Sequence, residues 1–251
     1  CEIEYRTAIH LDSTNKSAWN NLGSLYMKSA RIDEAESMFK KSLSIDSTFL
    51  TALGNLGTLY SNFNQLDKAI SIYKKCISID STRFIHRLNL GTAYRKMKLY
   101  SLSEQEFRTV IAMDSSNNFA WNNLGLLYYS MQKYDEAERI LFKTIAMDTF
   151  FANPYQIMGL VYFKTSRPKD AALFFNKALE INAKNSYAYL GLAYLELEKK
   201  DTTKVIEYII KAIDSGITFE YLDMDEELKT LKEQMIWKEM MAKYFPGKRK
   251  D

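Results

Sequence analysis

The sequence is poor in the residues that turn a chain. Its 251 residues include 9 Gly and 3 Pro, together about 5%, where ordinary proteins carry roughly 12%. Sandwiches and barrels need tight turns every few residues, and tight turns need Gly and Pro, so those architectures are excluded. His and Cys are equally scarce, two of each: His10, His86, Cys1 and Cys76. A disulfide framework is excluded by that count. A zinc site would have to gather nearly all four from distant positions. Two thiols fit a reducing compartment, yet are too few to exclude an oxidising one. Neither sign of charge dominates: 34 basic and 31 acidic residues leave +3, which gives no argument for nucleic acid. No apolar run approaches the roughly 18 residues of a membrane helix, and the first residues do not read as a signal peptide. What is plentiful is hydrophobic sequence, 47% of the chain, enough to bury a sizeable core and to argue against disorder.

The chain repeats itself. Trp19-Asn20-Asn21-Leu22-Gly23 returns unchanged as Trp121-Asn122-Asn123-Leu124-Gly125. The intermediate steps of 34 hold Asn55-Leu56-Gly57 and Asn89-Leu90-Gly91, and one step further stands Ile157-Met158-Gly159. Three residues after each Gly comes a Tyr: Tyr26, Tyr60, Tyr94, Tyr128 and Tyr162. The second half of each unit also recurs, as Ala35 and Phe39, Ala69 and Tyr73, Ser103 and Phe107, Ala137 and Leu141, Ala171 and Phe175. Asp12, Asp46, Asp80, Asp114, Asp148 and then Asn182 close the units. Apolar residues four apart, such as Leu22 with Tyr26 or Ala35 with Phe39, place each half on one helical face. A mid-helix Gly costs about 1 kcal/mol against Ala, so its recurrence points to a packing role in which the partner helix approaches closely. Such a helix pair cannot bury its apolar face alone, and neighbours must stack.

This pattern resembles the tetratricopeptide repeat, whose signature is W-x2-L-G-x2-Y, then A-x3-F, then P. The resemblance covers roughly residues 1–216. The closing Pro is absent, replaced by Ser47, Ser81, Ser115, Thr149 and Ala183, so the break between units falls to Asp-Ser and Asp-Thr turns. The resemblance implies an all-α, right-handed superhelical solenoid of antiparallel helix pairs with a helical C-terminal cap. Residues 1–15 read as the second helix of a truncated repeat. Full repeats follow at 16–49, 50–83, 84–117, 118–151 and 152–185, then a divergent one at 186–216. Starting in mid-repeat, the chain reads as a piece of a longer protein, with a lipid-modified Cys1 as the alternative. In the sixth repeat Leu190-Gly191-x2-Tyr194 comes two residues early, which predicts a turn about two residues longer near 198–202. Residues 217–251 read as capping helices followed by a solvated basic tail, Gly247-Lys248-Arg249-Lys250-Asp251.

Catalytic chemistry is not evident. The segment from Gly159 to Lys164 and Thr165 faintly echoes a phosphate-binding loop, but Phe163 replaces the second Gly and the segment lies in a repeat helix. His86 reads as a surface or packing histidine, and Cys76, in the small-residue slot that Ala178 fills 102 residues later, reads as a packing residue. No cofactor or metal is expected, and the chain reads as a non-enzyme.

In this family the first helix of each pair lines a concave groove. The resemblance therefore makes Asn21, Asn55, Asn89 and Asn123, which are 34 apart, an amide ladder for an extended peptide backbone. An amide offers a donor and an acceptor to any peptide unit; the alternative is that Asn is simply the family's common choice here. Asn20 and Asn122 flank the ladder. Lys28, Lys96 and Lys164 lie further along the same helices. Tyr129 and Phe163 can anchor an apolar side chain, although packing is the stronger reading for both. The Lys and Arg positions of the family's chaperone clamp are not filled. The expected function is a protein-interaction scaffold that binds a protein or peptide segment in the groove, with no nucleic acid and no membrane span; a homo-oligomer stays open. The alternatives are a regulatory or self-assembly region of a larger enzyme, or a lipoprotein scaffold at a bacterial envelope. A cytoplasmic location is favoured over that envelope.

Overall fold

A computed structural model describes residues 1–247. Of the expected basic tail, Lys248, Arg249, Lys250 and Asp251 lie outside the described residues. The chain forms two compact units that divide between Leu127 and Tyr128.

The first unit holds α1 (Glu2–Leu11), α2 (Lys16–Lys28), α3 (Ile32–Ile45), α4 (Leu50–Asn62), α5 (Leu66–Ile79), α6 (Phe84–Lys96), α7 (Tyr100–Met113) and most of α8 (Asn118–Ser130). The second continues with α9 (Tyr134–Met147), α10 (Ala152–Lys164), α11 (Pro168–Ile181), α12 (Ser186–Glu198) and α13 (Thr202–Asp214). After these come α14 (Phe219–Met224), a 3-10 turn (Glu226–Leu228), α15 (Lys229–Lys232) and α16 (Met235–Tyr244). No strand occurs among the described residues.

The first helices of the pairs, α2, α4, α6, α8, α10 and α12, start at one constant interval, and the second helices, α3, α5, α7, α9, α11 and α13, keep the same interval. The expected longer turn in the sixth repeat is therefore corrected. Only residues 199–201 separate α12 from α13, as 165–167 separate α10 from α11. Ala193, not Gly191, stands one full repeat after Gly159. Gly191 lies on another face of its helix, two residues being roughly 200° of helical turn.

Each turn inside a pair uses a non-Gly residue in the left-handed region: Ala30, Asn64, Lys98, Gln132, Ser166 and Lys200, with φ from 56° to 61°. The backbone there makes a Schellman cap. At the first such turn Arg31 N–H donates to Tyr26 O at 2.9 Å and Ala30 N–H to Met27 O at 3.2 Å. At the fifth, Arg167 N–H donates to Tyr162 O at 2.8 Å. Between pairs the Asp makes the expected turn. Asp46 Oδ1 accepts from Thr48 N–H at 2.9 Å and its hydroxyl at 2.7 Å, and Asp12, Asp80 and Asp114 repeat the geometry with Thr14, Thr82 and Ser116. Asn15, Asn117 and Asn185 each cap the following helix by accepting from the N–H of Ala18, Ala120 and Ala188.

The recurring Gly meets the recurring aromatic. A Cβ on Gly23 would lie 2.8 Å from the Phe39 ring, and one on Gly57 would lie 2.6 Å from Tyr73. Phe39, Phe107 and Phe175 are fully buried, each contributing about 2–3 kcal/mol of transfer free energy. Neighbouring pairs are also tied by polar contacts: Tyr60 donates its hydroxyl to Glu36 at 2.8 Å and Tyr162 to Glu138 at 2.7 Å. In the second unit, Val205 and Ile209 of α13 join Leu222, Leu228, Leu231, Trp237 and Met240 in one buried cluster. The C-terminal helices thus cover an apolar face that would otherwise be open, as a terminal repeat requires.

Candidate functional site

The amide ladder divides into two kinds of position. At its start the amides serve each other. Asn20 is buried; it donates to Asn21 Oδ1 at 3.2 Å and accepts from Asn55 Nδ2 at 2.9 Å. Asn55 also donates to Ser24 Oγ at 3.2 Å. These bonds link α2 to α4 and leave less of the Asn55 amide for a ligand.

Asn89 and Asn123 stand differently. No hydrogen bond to either side chain is found among the described residues. Both line a cleft of about 510 Å³ bounded by Phe84, Ile85, Leu88, Thr92 and Phe119. Phe84, Ile85 and Phe119 are 39%, 48% and 58% exposed, far more than apolar side chains in the core, so the cleft offers both bare amides and accessible apolar walls. Several other polar groups at its rim are already committed, although the buried Oδ1 of Asn118 accepts no hydrogen bond among the described residues. Thr92 donates to Leu88 O at 2.9 Å, Asn117 caps α8, and Asp114 accepts from Ser116. Asn122, next to Asn123, is buried, and its Oδ1 has no partner, a cost of about 1–3 kcal/mol for an unsatisfied acceptor.

The remaining candidates are spread along the helices. Lys28 is exposed at the end of α2. Lys96 donates to Ser61 O at 3.1 Å, and burial lowers its pKa. In the second unit Lys164 is paired with Glu227. Phe163 packs on Tyr194 with centroids 5.6 Å apart, and Tyr129 lies 6.0 Å from Tyr134. The ladder slots here, one and two repeats after Asn123, hold Ile157 and Gly191. The asparagines of the ladder therefore all belong to the first unit, and the second has one apolar side chain and one glycine in the same slots.

A larger cleft of about 760 Å³ lies at the first three helices, lined by Ile9, Trp19, Met38 and charged Arg6, Asp33 and Glu34. It contains none of the ladder residues. Cys76 is fully buried, and burial pushes its thiol up to about 11. His86 is 5% exposed; neither ring nitrogen has a partner, and burial lowers its pKa. Its ring packs near Gly54, where a Cβ would lie 3.2 Å away. Residues 159–164 of the phosphate-loop echo are helical within α10. Among the described residues no group of three or more His, Cys, Asp or Glu could hold a metal, and no helix is long and apolar enough to cross a membrane.

Three family models, each described as a tetratricopeptide repeat, match residues 16–82, 88–154 and 152–185. Among solved structures, a tetratricopeptide repeat protein from Parabacteroides merdae is 20% identical with a TM-score of 0.80, covering 91% of this chain and 90% of that one. PilF of Pseudomonas aeruginosa is 19% identical with a TM-score of 0.60, covering 92% and 98%. YrrB, described as a TPR protein with an unusual peptide-binding site, is 18% identical with a TM-score of 0.51, covering 73% and 95%. Identities of this size show a common fold. No curated protein matches the sequence.

Proposed function

The chain belongs to the tetratricopeptide repeat family, and we propose that it is a non-catalytic scaffold that holds an extended partner segment in the cleft of its first unit. One observation carries the reading: Asn89 and Asn123, one repeat apart, present uncommitted amides between exposed apolar walls. The amides bond the main chain of the segment whatever its sequence. Phe84, Ile85 and Phe119 bury apolar side chains of the same segment and supply the larger share of the affinity. Tetratricopeptide scaffolds are typically non-catalytic interaction modules. The likeness to YrrB, whose description names a peptide-binding site, is in keeping with this use of the fold.

The test uses peptides selected on the wild-type chain from a random display library. Asn89→Ala with Asn123→Ala lowers their affinity at least tenfold and leaves the melting temperature within a few degrees. Unchanged affinity in the folded double variant contradicts the reading. Asn55→Ala alone has a smaller effect on binding, because Asn20 and Ser24 already engage that amide.

A further inference from the structure

The C-terminal segment does more than close the last repeat. Its later part, with Leu231, Trp237, Met240 and Met241, joins the buried cluster of α12 and α13. Its earlier part turns toward the first helices of the second unit. Tyr221 packs edge-on against Tyr187, centroids 5.1 Å apart and planes at 73°. Leu222 and Leu228 are fully buried in the cluster that includes Leu160, Phe163 and Tyr194. Asp225 accepts from the Tyr194 hydroxyl through Oδ2 and from Glu227 N–H through Oδ1 at 2.9 Å. Glu227 accepts from Lys164 Nζ. Tyr129 is half-buried, and burial raises its pKa.

Two of the contacted positions share the repeat register of residues that line the open cleft of the first unit. Tyr187 stands two repeats after Phe119 and three after Ile85, and Tyr194 stands three after Thr92. An apolar cover has no need of carboxylates. Here one carboxylate is half-buried against a hydroxyl and another is set on a lysine, although desolvating such groups is costly without partners. That is the chemistry of recognition.

We propose that this face of the second unit is a second peptide site and that residues 221–228 fill it as an internal ligand. The external ligand is a partner segment of the same chemistry: two leucines six apart that frame acidic residues, the second leucine directly after the last of them. Such a segment must displace the internal one, whose tether gives it a high effective concentration. The site stands on residues of the second unit alone, so it is independent of Asn89 and Asn123.

The experiment uses the full chain and a fluorescein-labelled peptide with the sequence of residues 218–231. Asp225→Ala with Glu227→Ala loosens the internal segment while leaving its leucines in place. Hydrogen exchange of amides 219–228 becomes at least tenfold faster, and the peptide binds at least tenfold more tightly than to wild type. Adding Lys164→Glu removes most of that gain, and a peptide with Asp225→Asn and Glu227→Gln shows none. Leu222→Ala, a second loosening variant, gives the same gain. Circular dichroism and melting confirm that each variant is folded. Faster exchange without tighter peptide binding overturns the proposal in favour of plain cover. Unchanged exchange in both loosening variants overturns it as well, because the contacts then do not hold the segment. A dimer of the loosened variant in light scattering overturns the external ligand in favour of exchange between copies.

Discussion

The ring of Phe175 occupies the space that a side chain at Gly159 would need: a Cβ there would lie 2.4 Å from a ring carbon. On α12, a Cβ on Gly191 would lie 2.2 Å from the same ring. One aromatic is therefore held between two glycines on successive first helices. The recurring Gly sets the spacing of the stack, and Gly191 repeats the device from the other side.

Gly159→Ala forces Phe175 off its rotamer or pushes α10 from α11, at about 1–3 kcal/mol. Thermal melting of the variant shows a loss of that order. Phe175→Leu added to Gly159→Ala costs less than the sum of the two single changes, because the shorter side chain relieves the overlap. Additive losses would show that the two residues do not compete for the same space.

Six non-Gly residues hold the left-handed turn conformation, Lys98 among them at φ 60°. That conformation costs an L-residue roughly 1–2 kcal/mol, which the greater unfolded-state freedom of Gly partly offsets. Lys98→Gly therefore stabilises the chain by about 0.5 kcal/mol in denaturant unfolding, the opposite sign to a mid-helix Gly such as Thr109→Gly, which destabilises by about 1 kcal/mol.

Acid acts on the turns between repeats. Lys16 first, and then Thr48, hold the Asp46 carboxyl down to about 2. The hydroxyl and N–H of Thr14, Thr82 and Ser116 lower Asp12, Asp80 and Asp114. A carboxyl lowered in the folded state contributes stability above its unfolded pKa of about 4. That contribution is lost as pH falls toward the folded value. His86 adds an earlier loss. Burial lowers it first, Arg83 lowers it further and Asp80 raises it, so the unfolded chain takes up the proton first as pH falls below about 6.5. Melting temperature against pH declines in two stages, and His86→Leu removes the upper one. A profile in the variant identical to wild type contradicts this role.

Periodicity carried most of the fold. Gly23 and Phe39 recur at 34, so their packing shows as a pattern in the chain itself. The Asp turns are legible for the same reason. Features that happen once leave no period. Lys164 and Glu227 lie far apart in the chain, and nothing in their spacing announces an ion pair, so the segment packed on Phe163 and Tyr194 could not be read. The Asn20–Asn55 bond was hidden differently. The ladder positions are visible, but which amides turn to a neighbouring repeat depends on side-chain geometry. Gly191 misled because a Leu-Gly-x2-Tyr string two residues out of step points to a different helical face.

The most direct test of the amide cleft is side-chain NMR on a chain labelled with 15N-asparagine, titrated with a display-selected peptide. The account predicts that the Asn89 and Asn123 side-chain amide signals shift and exchange more slowly with solvent when the peptide is bound, while those of Asn20 and Asn55 stay in place. Shifts confined to other asparagines, with Asn89 and Asn123 unmoved at saturation, would contradict it.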